Sequence, residues 1–169
     1  MLLHRLIGAA LALGWSAGFA QAGSVRIAER PQAGTFTTLQ AGVNAALEGE
    51  SLLVTPGVYA PFTIDGKSVH VFVLGTGKAK ITGQVAVKNL GPAQSVVLTR
   101  LSVKNNGLAG SGTALEIRDV TGNLRVKDSD FEGAPFNQNF NFSASGVLLD
   151  SAVNVVFSNC RIEGGYPGY

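Results

Sequence analysis

The chain has little with which to perform redox, metal or phosphate chemistry. It holds one cysteine, Cys160, so no internal disulfide can form. Its two histidines, His4 and His70, stand apart from any Cys or carboxylate cluster at metal-ligand spacing, so no metal site is expected. No phosphate-binding Gly loop, dinucleotide fingerprint, HExxH or Ser-His-Asp set occurs, and Gly75-Thr76-Gly77 lacks a following helix pattern. Charged residues make up only 14%, with 13 basic against 11 acidic side chains and no basic stripe or single-sign block. Nucleic-acid binding and a charged disordered tail are therefore not expected. Beyond residue 22 no apolar run is long enough to cross a bilayer.

The first 22 residues read as a secretory signal peptide. His4 and Arg5 form a short basic head, Leu6 to Phe19 is apolar, and Ala20-Gln21-Ala22 has the small-x-small form of a cleavage site. The protein is accordingly expected to be secreted, periplasmic or at the cell surface, with no membrane span after cleavage. Residues 23–169 are long enough for one domain with its own core. They are rich in Gly, Val, Ser, Thr and Asn, as in a β-protein with many turns.

What the chain does have is a repeat. Residues 95–105, 123–133 and 154–164 share an apolar skeleton of the form h-x-h-x-x-h-x-h. The first copy places Val96, Leu98, Leu101 and Val103 on it, the second Leu124, Val126, Ser129 and Phe131, the third Val155, Phe157, Cys160 and Ile162. A weaker fourth copy is read upstream at Val69, Val71, Leu74 and Thr76. Periods of this size signal a solenoid or array. Alternation within each copy is strand-like, broken by a bend. A strand that returns once per repeat must lie parallel to its predecessor, because a long stretch of chain separates them. The fold expected is all-β: a right-handed parallel β-helix, with the apolar positions of the three strong copies inward. Its hand follows the general chirality of parallel β connections. A second strand precedes each main one at Val85/Val87, Leu115/Ile117 and Val147/Leu148, giving at least two sheets.

Segment 23–50 reads as an N-terminal section with an extended strand at Val25–Ile27 and a capping helix. Thr37 or Thr38 starts the helix, Leu39, Val43 and Leu47 share one face, and Gly49 ends it. Such a helix would cover the open apolar end of a solenoid. Residues 51–169 are assigned to the coils. Ending at Tyr166-Pro167-Gly168-Tyr169 soon after a main strand, they are expected to be the front part of a longer β-helix. The alternative is that the last four residues fold back as a plug.

The order Leu-Gln-Ala-Gly-Val-Asn-Ala-Ala, then Leu-Leu-Val-Thr-Pro-Gly-Val-Tyr, then a strand ending Leu-Gly-Thr-Gly resembles the entry region of the pectate-lyase-like superfamily of right-handed parallel β-helix proteins. Residues 36–77 carry most of the likeness. It speaks for the fold and leaves activity open, since that superfamily includes lyases, hydrolases, epimerases, tailspikes and proteins without catalysis.

Aligned repeats place outward side chains in columns: Ser102, Asp130, Arg161; Lys104, Glu132, Glu163; and, at the bend, Arg100, Asp128, Asn159. Asp128, Asp130 and Glu132, with Arg161, are thus the candidates for catalysis. Two carboxylates on an open face could serve as acid and base on a glycosidic bond. The resemblance implies another route, in which carboxylates hold Ca²⁺ and an arginine removes a proton beside a uronate carboxylate. Apart from that Ca²⁺, no cofactor is expected. The competing reading is a ladder of ion pairs, Asp130 with Arg161 and Glu132 with Lys104, with neither carboxylate catalytic. The loop 133–145 carries Phe136, Asn139, Phe140 and Phe142, which could stack and hydrogen-bond a sugar or could extend a strand over the shaft. The expected partner is a polysaccharide, bound by a module or surface scaffold without catalysis. The alternative is the N-terminal part of a polysaccharide lyase or glycoside hydrolase.

Overall fold

A computed structural model of the chain describes residues 23–107, 112–134 and 145–164. The described residues are mostly β, with one short helix among them and parallel pairing between their strands. In order they form β1 (Ser24–Ile27), α1 (Leu39–Ala45), β2 (Glu50–Val54), β3 (Gly57–Tyr59), β4 (Phe62–Asp65), β5 (Val69–Val73), β6 (Ala79–Thr82), β7 (Val85–Lys88), β8 (Ser95–Thr99), β9 (Leu101–Lys104), β10 (Leu115–Val120), β11 (Asn123–Lys127), β12 (Asp130–Glu132), β13 (Val147–Ala152), β14 (Val155–Ser158) and β15 (Arg161–Glu163).

From β2 onward the chain visits three parallel sheets in strict rotation. Sheet A runs β1-β2-β5-β8-β11-β14, sheet B β3-β6-β9-β12-β15, and sheet C β4-β7-β10-β13. The h-x-h-x-x-h-x-h skeleton is therefore two strands on two sheets, and the "at least two sheets" of the sequence resolve into three. Register holds the apolar positions in line. In sheet A, Leu52, Val71, Leu98, Val126 and Phe157 are successive partners. In sheet B the line is Tyr59, Ile81, Val103, Phe131 and Ile162. Each fully buried side chain of this kind contributes roughly 1.5–3 kcal/mol.

At two corners single residues in left-handed backbone recur from round to round. Between sheets A and B these are Arg100, Asp128 and Asn159, with φ of 54, 52 and 53°. Between sheets C and A they are Asn89, Asp119 and Ser151, at 55, 54 and 52°, preceded in the same column by Gly66 at 58°. Asn and Asp adopt this conformation more readily than other residues with a Cβ; Asn89 Nδ2 also donates across to Asp65 Oδ1 of the preceding round at 2.7 Å.

Val96, Leu98, Leu101, Val103, Leu124, Val126 and Phe131 are buried as expected. Four expectations need correction. Val155 and Phe157 are only partly buried and Ile162 is 47% exposed, although their register is inward, because no described strand stacks beyond β13, β14 and β15. The fourth repeat is right at Val69 and Val71 but not at Leu74 and Thr76. A loop intervenes, and the partners of Leu101 and Val103 are Ala79 and Ile81; Leu74 is exposed. In β13 the inward pair is Val147 and Leu149, the partners of Leu115 and Ile117, rather than Val147 and Leu148. Helix α1 starts at Thr38, whose hydroxyl accepts the Ala41 N–H, and buries Leu39 and Val43. It ends at Ala45, so Leu47 leaves the apolar face and is 70% exposed. Lys67 holds that end down, its ammonium donating to the carbonyls of Val43 at 3.1 Å and Ala46 at 2.7 Å.

The unequal member of the inward column, Ser129, is completely buried without an orphaned group. Its hydroxyl donates to Lys127 O at 2.7 Å and accepts the Leu101 N–H at 3.0 Å. Cys160, next in the column and half-buried, repeats the first contact through Sγ and Ser158 O at 3.3 Å.

Candidate functional site

The columns inferred for the acidic strand exist: Asp130 is in register with Ser102 and Arg161, and Glu132 with Lys104 and Glu163. The pairing differs in one place. Glu132 meets Lys104 at 2.6 Å, as expected. Asp130 instead meets Lys78 at 2.6 Å, and Arg161 turns to Glu163 on its own strand at 2.5 Å. The loop displaced before β6 is the cause: it brings Lys78 beside Asp130, which the repeat alignment had assigned to no column. Asp128 sits at the corner, where its carboxylate accepts from Asn159 Nδ2 at 2.6 Å. Lys78, Arg100, Asp128, Asp130 and Arg161 line a shallow groove of about 320 Å³. All three candidate carboxylates thus accept a hydrogen bond or ion pair from another round, Glu132 and Asp128 from an adjacent one and Asp130 from Lys78 two rounds back. Asp130→Asn and Glu132→Gln, whose wild-type side chains are 41% and 45% exposed, are each expected to change unfolding stability by under about 1 kcal/mol. Urea denaturation checks this, and a loss above 2 kcal/mol in either would show that the ladder is not a solvated one.

A second groove, of about 330 Å³, lies at the corner between sheets B and C. Its floor is Phe62 and Ala86; its polar wall is Gln40, Thr82, Gln84, Asn105 and Asn106. None of its lining residues is ionisable. Depth comes from Ala86, the small outward residue between Thr63 and Glu116 in the sheet C ladder. The amides are set by bonds that leave them little freedom. Gln40, on α1, accepts the Thr63 N–H at 2.8 Å and donates to Thr63 O at 3.2 Å. Asn105, 2% exposed, donates to Thr113 O at 2.7 Å and accepts the Gly107 N–H at 2.8 Å. Sequence reasoning missed this groove, since its members come from the helix and three successive corners with no common spacing. The signal that could have found it is the amide pair Asn105-Asn106 directly after a strand.

Phe136, Asn139, Phe140 and Phe142 lie outside the described residues. The flanks of that segment are placed: Ala134 donates its N–H to Gly112 O at 2.7 Å, and Ala114 donates to Ser145 O at 3.2 Å. Both flanks belong to the same B–C corner as the amide groove. Tyr59 is core, with its hydroxyl donating to Thr55 O at 2.8 Å. His70 is outward, 3.3 Å from Ser95 Oγ and edge-on to Phe72. Among the described residues no group of three His, Cys, Asp or Glu could hold a metal ion, and no helix is long and apolar enough to cross a membrane.

One carboxylate is visibly tuned. Glu48, just after α1, has its pKa lowered from 4.5, first by the Ser68 hydroxyl and then by the Ser68 N–H, Gln94 and the charge of Lys67; slight desolvation works against them. These bonds tie the helix exit to two later turns. A carboxyl depressed on folding contributes stability that is present above its unfolded pKa and lost as pH falls through the folded value. The melting-temperature gap between wild type and Glu48→Gln should therefore be open at pH 6 and narrow steadily as the pH falls below the ordinary carboxylate range. A gap that stays constant over that range would remove Glu48 as the titrating link.

Comparison with known protein families, with curated proteins and with solved structures finds no match for the chain.

Proposed function

We propose that the chain is a right-handed parallel β-helix acting outside the cell as a polysaccharide-binding module, without catalysis in this segment. The A-B-C rotation of strands and the general right-handedness of parallel β connections support the fold. The observation that carries the binding reading is the amide groove: a cleft of about 330 Å³ with an apolar floor, fixed amides and hydroxyls, and no charge. Uncharged donors and acceptors around an apolar floor suit the hydroxyls and C–H faces of a neutral sugar, and the volume falls in the lower range of ligand pockets. Acid–base chemistry has no group to work with there.

The test is calorimetric titration with a panel of neutral oligosaccharides against wild type, Asn106→Ala and Thr82→Val, both substitutions at exposed positions. Binding that weakens at least about tenfold in either variant, at unchanged melting temperature, is the expected result. No binding of any neutral sugar at millimolar concentration would sink the reading. A second reading, the front part of a polysaccharide lyase or hydrolase, is favoured by the groove where Lys78, Arg100 and Arg161 surround Asp128 and Asp130. Reducing-sugar and unsaturated-uronate assays with and without Ca²⁺ decide it. Turnover abolished by Asp130→Asn in a fully folded protein would establish the enzyme.

A further inference from the structure

The three sheets treat their outward charges differently. On sheets B and C, outward cations and carboxylates form ion pairs: Lys104 with Glu132, Lys88 and Arg118 with Glu116, Arg118 with Asp150. On sheet A no Asp or Glu occupies an outward position. Alternation of burial puts Arg26 outward on β1, Leu53 on β2, His70 and Phe72 on β5, Thr99 on β8, and Arg125 and Lys127 on β11. Arg26, Leu53, Phe72, Thr99 and Lys127 are successive partners, so they form one line across the strands. Four ladder steps separate Arg26 from Lys127, roughly 19 Å at the usual strand spacing. Arg26, Arg125 and Lys127 are exposed, and none has a carboxylate partner among the described residues.

We infer that this outer face of sheet A is a docking surface for an anionic polysaccharide. The inference extends the glycan-binding reading to a different face and a charged ligand, and it does not use the amide groove. A straight row with cations at both ends and Leu53, Phe72 and Thr99 between them, with His70 and Arg125 in the row beside it, fits an extended polymer lying across the strands. Its acidic groups meet the cations. Its sugar rings cover the Phe72–His70 edge, and its hydroxyls meet Thr99. Three unpaired cations are few for a nucleic acid, whose binding is dominated by many phosphate contacts. The long-range attraction is electrostatic, so it must weaken with salt.

The experiment compares one backbone in three charge forms, dextran, carboxymethyl dextran and dextran sulfate, by surface or calorimetric binding at 50 and 200 mM salt. The full-length protein is used, with two triple variants of equal charge: Arg26→Gln/Arg125→Gln/Lys127→Gln on sheet A, and Lys80→Gln/Lys104→Gln/Arg161→Gln on sheet B. Expected are binding of at least one charged dextran about tenfold or more tighter than dextran, weakening at the higher salt, and at least a tenfold loss in the sheet A variant alone. The carboxymethyl and sulfate arms tell which acidic group is taken. Equal losses in both triple variants, or equal binding of charged and neutral dextran, would overturn the proposal. Duplex DNA or anionic phospholipid vesicles bound as tightly as the charged dextran would overturn it too. Neutral-sugar binding in the sheet A variant reports on the amide groove separately, so failure of one site is distinguishable from failure of the other.

Discussion

Val126→Asp is expected to abolish cooperative folding. Val126 is fully buried and lies in register between Leu98 of the preceding round and Phe157 of the next. Each neighbour in the line is apolar, so a carboxylate there finds no cation and no water. Burial of an unpaired charge costs several kcal/mol, comparable with the whole stability of a domain of this size. Circular dichroism melts should show a broad transition or none. The matched control is Lys127→Asp, one residue on and exposed, which should shift stability by no more than about 0.5 kcal/mol. If the two variants melted alike, the inward register of β11 would be wrong, because a one-residue slip exchanges the two faces.

Gly122→Ala should destabilise by about 2–3 kcal/mol, for a different reason. Gly122 precedes β11 at the turn from sheet C to sheet A, and its N–H donates to Leu90 O at 3.1 Å in the turn one round earlier. A Cβ added there would stand 2.4 Å from Gln94 O and 2.5 Å from Gly91 O. Both are backbone atoms; Gln94 O also accepts the Asn123 N–H, and the Gly91 N–H donates to Gln94 Oε1, so this turn cannot swing aside freely. Gly91→Ala is the control, since its Cβ would meet only the Gln94 side chain at 3.7 Å. A Gly122→Ala protein with wild-type urea midpoint would mean that the stacked turns are not in this close contact.

How much of this was legible depends on whether a residue's partner lies one repeat away. Leu98, Val126 and Phe157 could be aligned because each faces its counterpart at the same place in the repeat. The pair Glu132–Lys104 was found for the same reason. Leu74 and Thr76 were misplaced because the loop before β6 breaks the spacing while leaving the strands in register, and linear spacing cannot see a bulge that stacking tolerates. The same loop supplied Lys78 to Asp130 in place of Arg161. Leu47 fits the helical period, but α1 ends before reaching it, with Ala46 in extended backbone. The amide groove and the cationic row were illegible for a further reason. Gln40 meets Thr63 and Asn105 meets Thr113 across corners, and Arg26 and Lys127 share a line only after five strands have been laid side by side.

The left-handed corner residues have a consequence for where this chain can change length. At Arg100, Asp128 and Asn159 one residue makes the whole bend, and an added residue there would shift the next strand by one and reverse its faces. The B–C corner has no such constraint. Its connections are residues 60–61, 83–84, 105–114 and 133–146, short in the first two rounds and much longer in the next two, while the strands on either side keep their partners. Lengthening a surface loop costs only about 0.6 kcal/mol per doubling. The longest insertions therefore lie at this edge, while the other two corners take only short ones, residues 74–78 between β5 and β6 and 89–94 between β7 and β8. Peptides grafted at residues 83–84 or 105–114 would project in one row beside the amide groove, so new specificity can be added there without recutting the shaft.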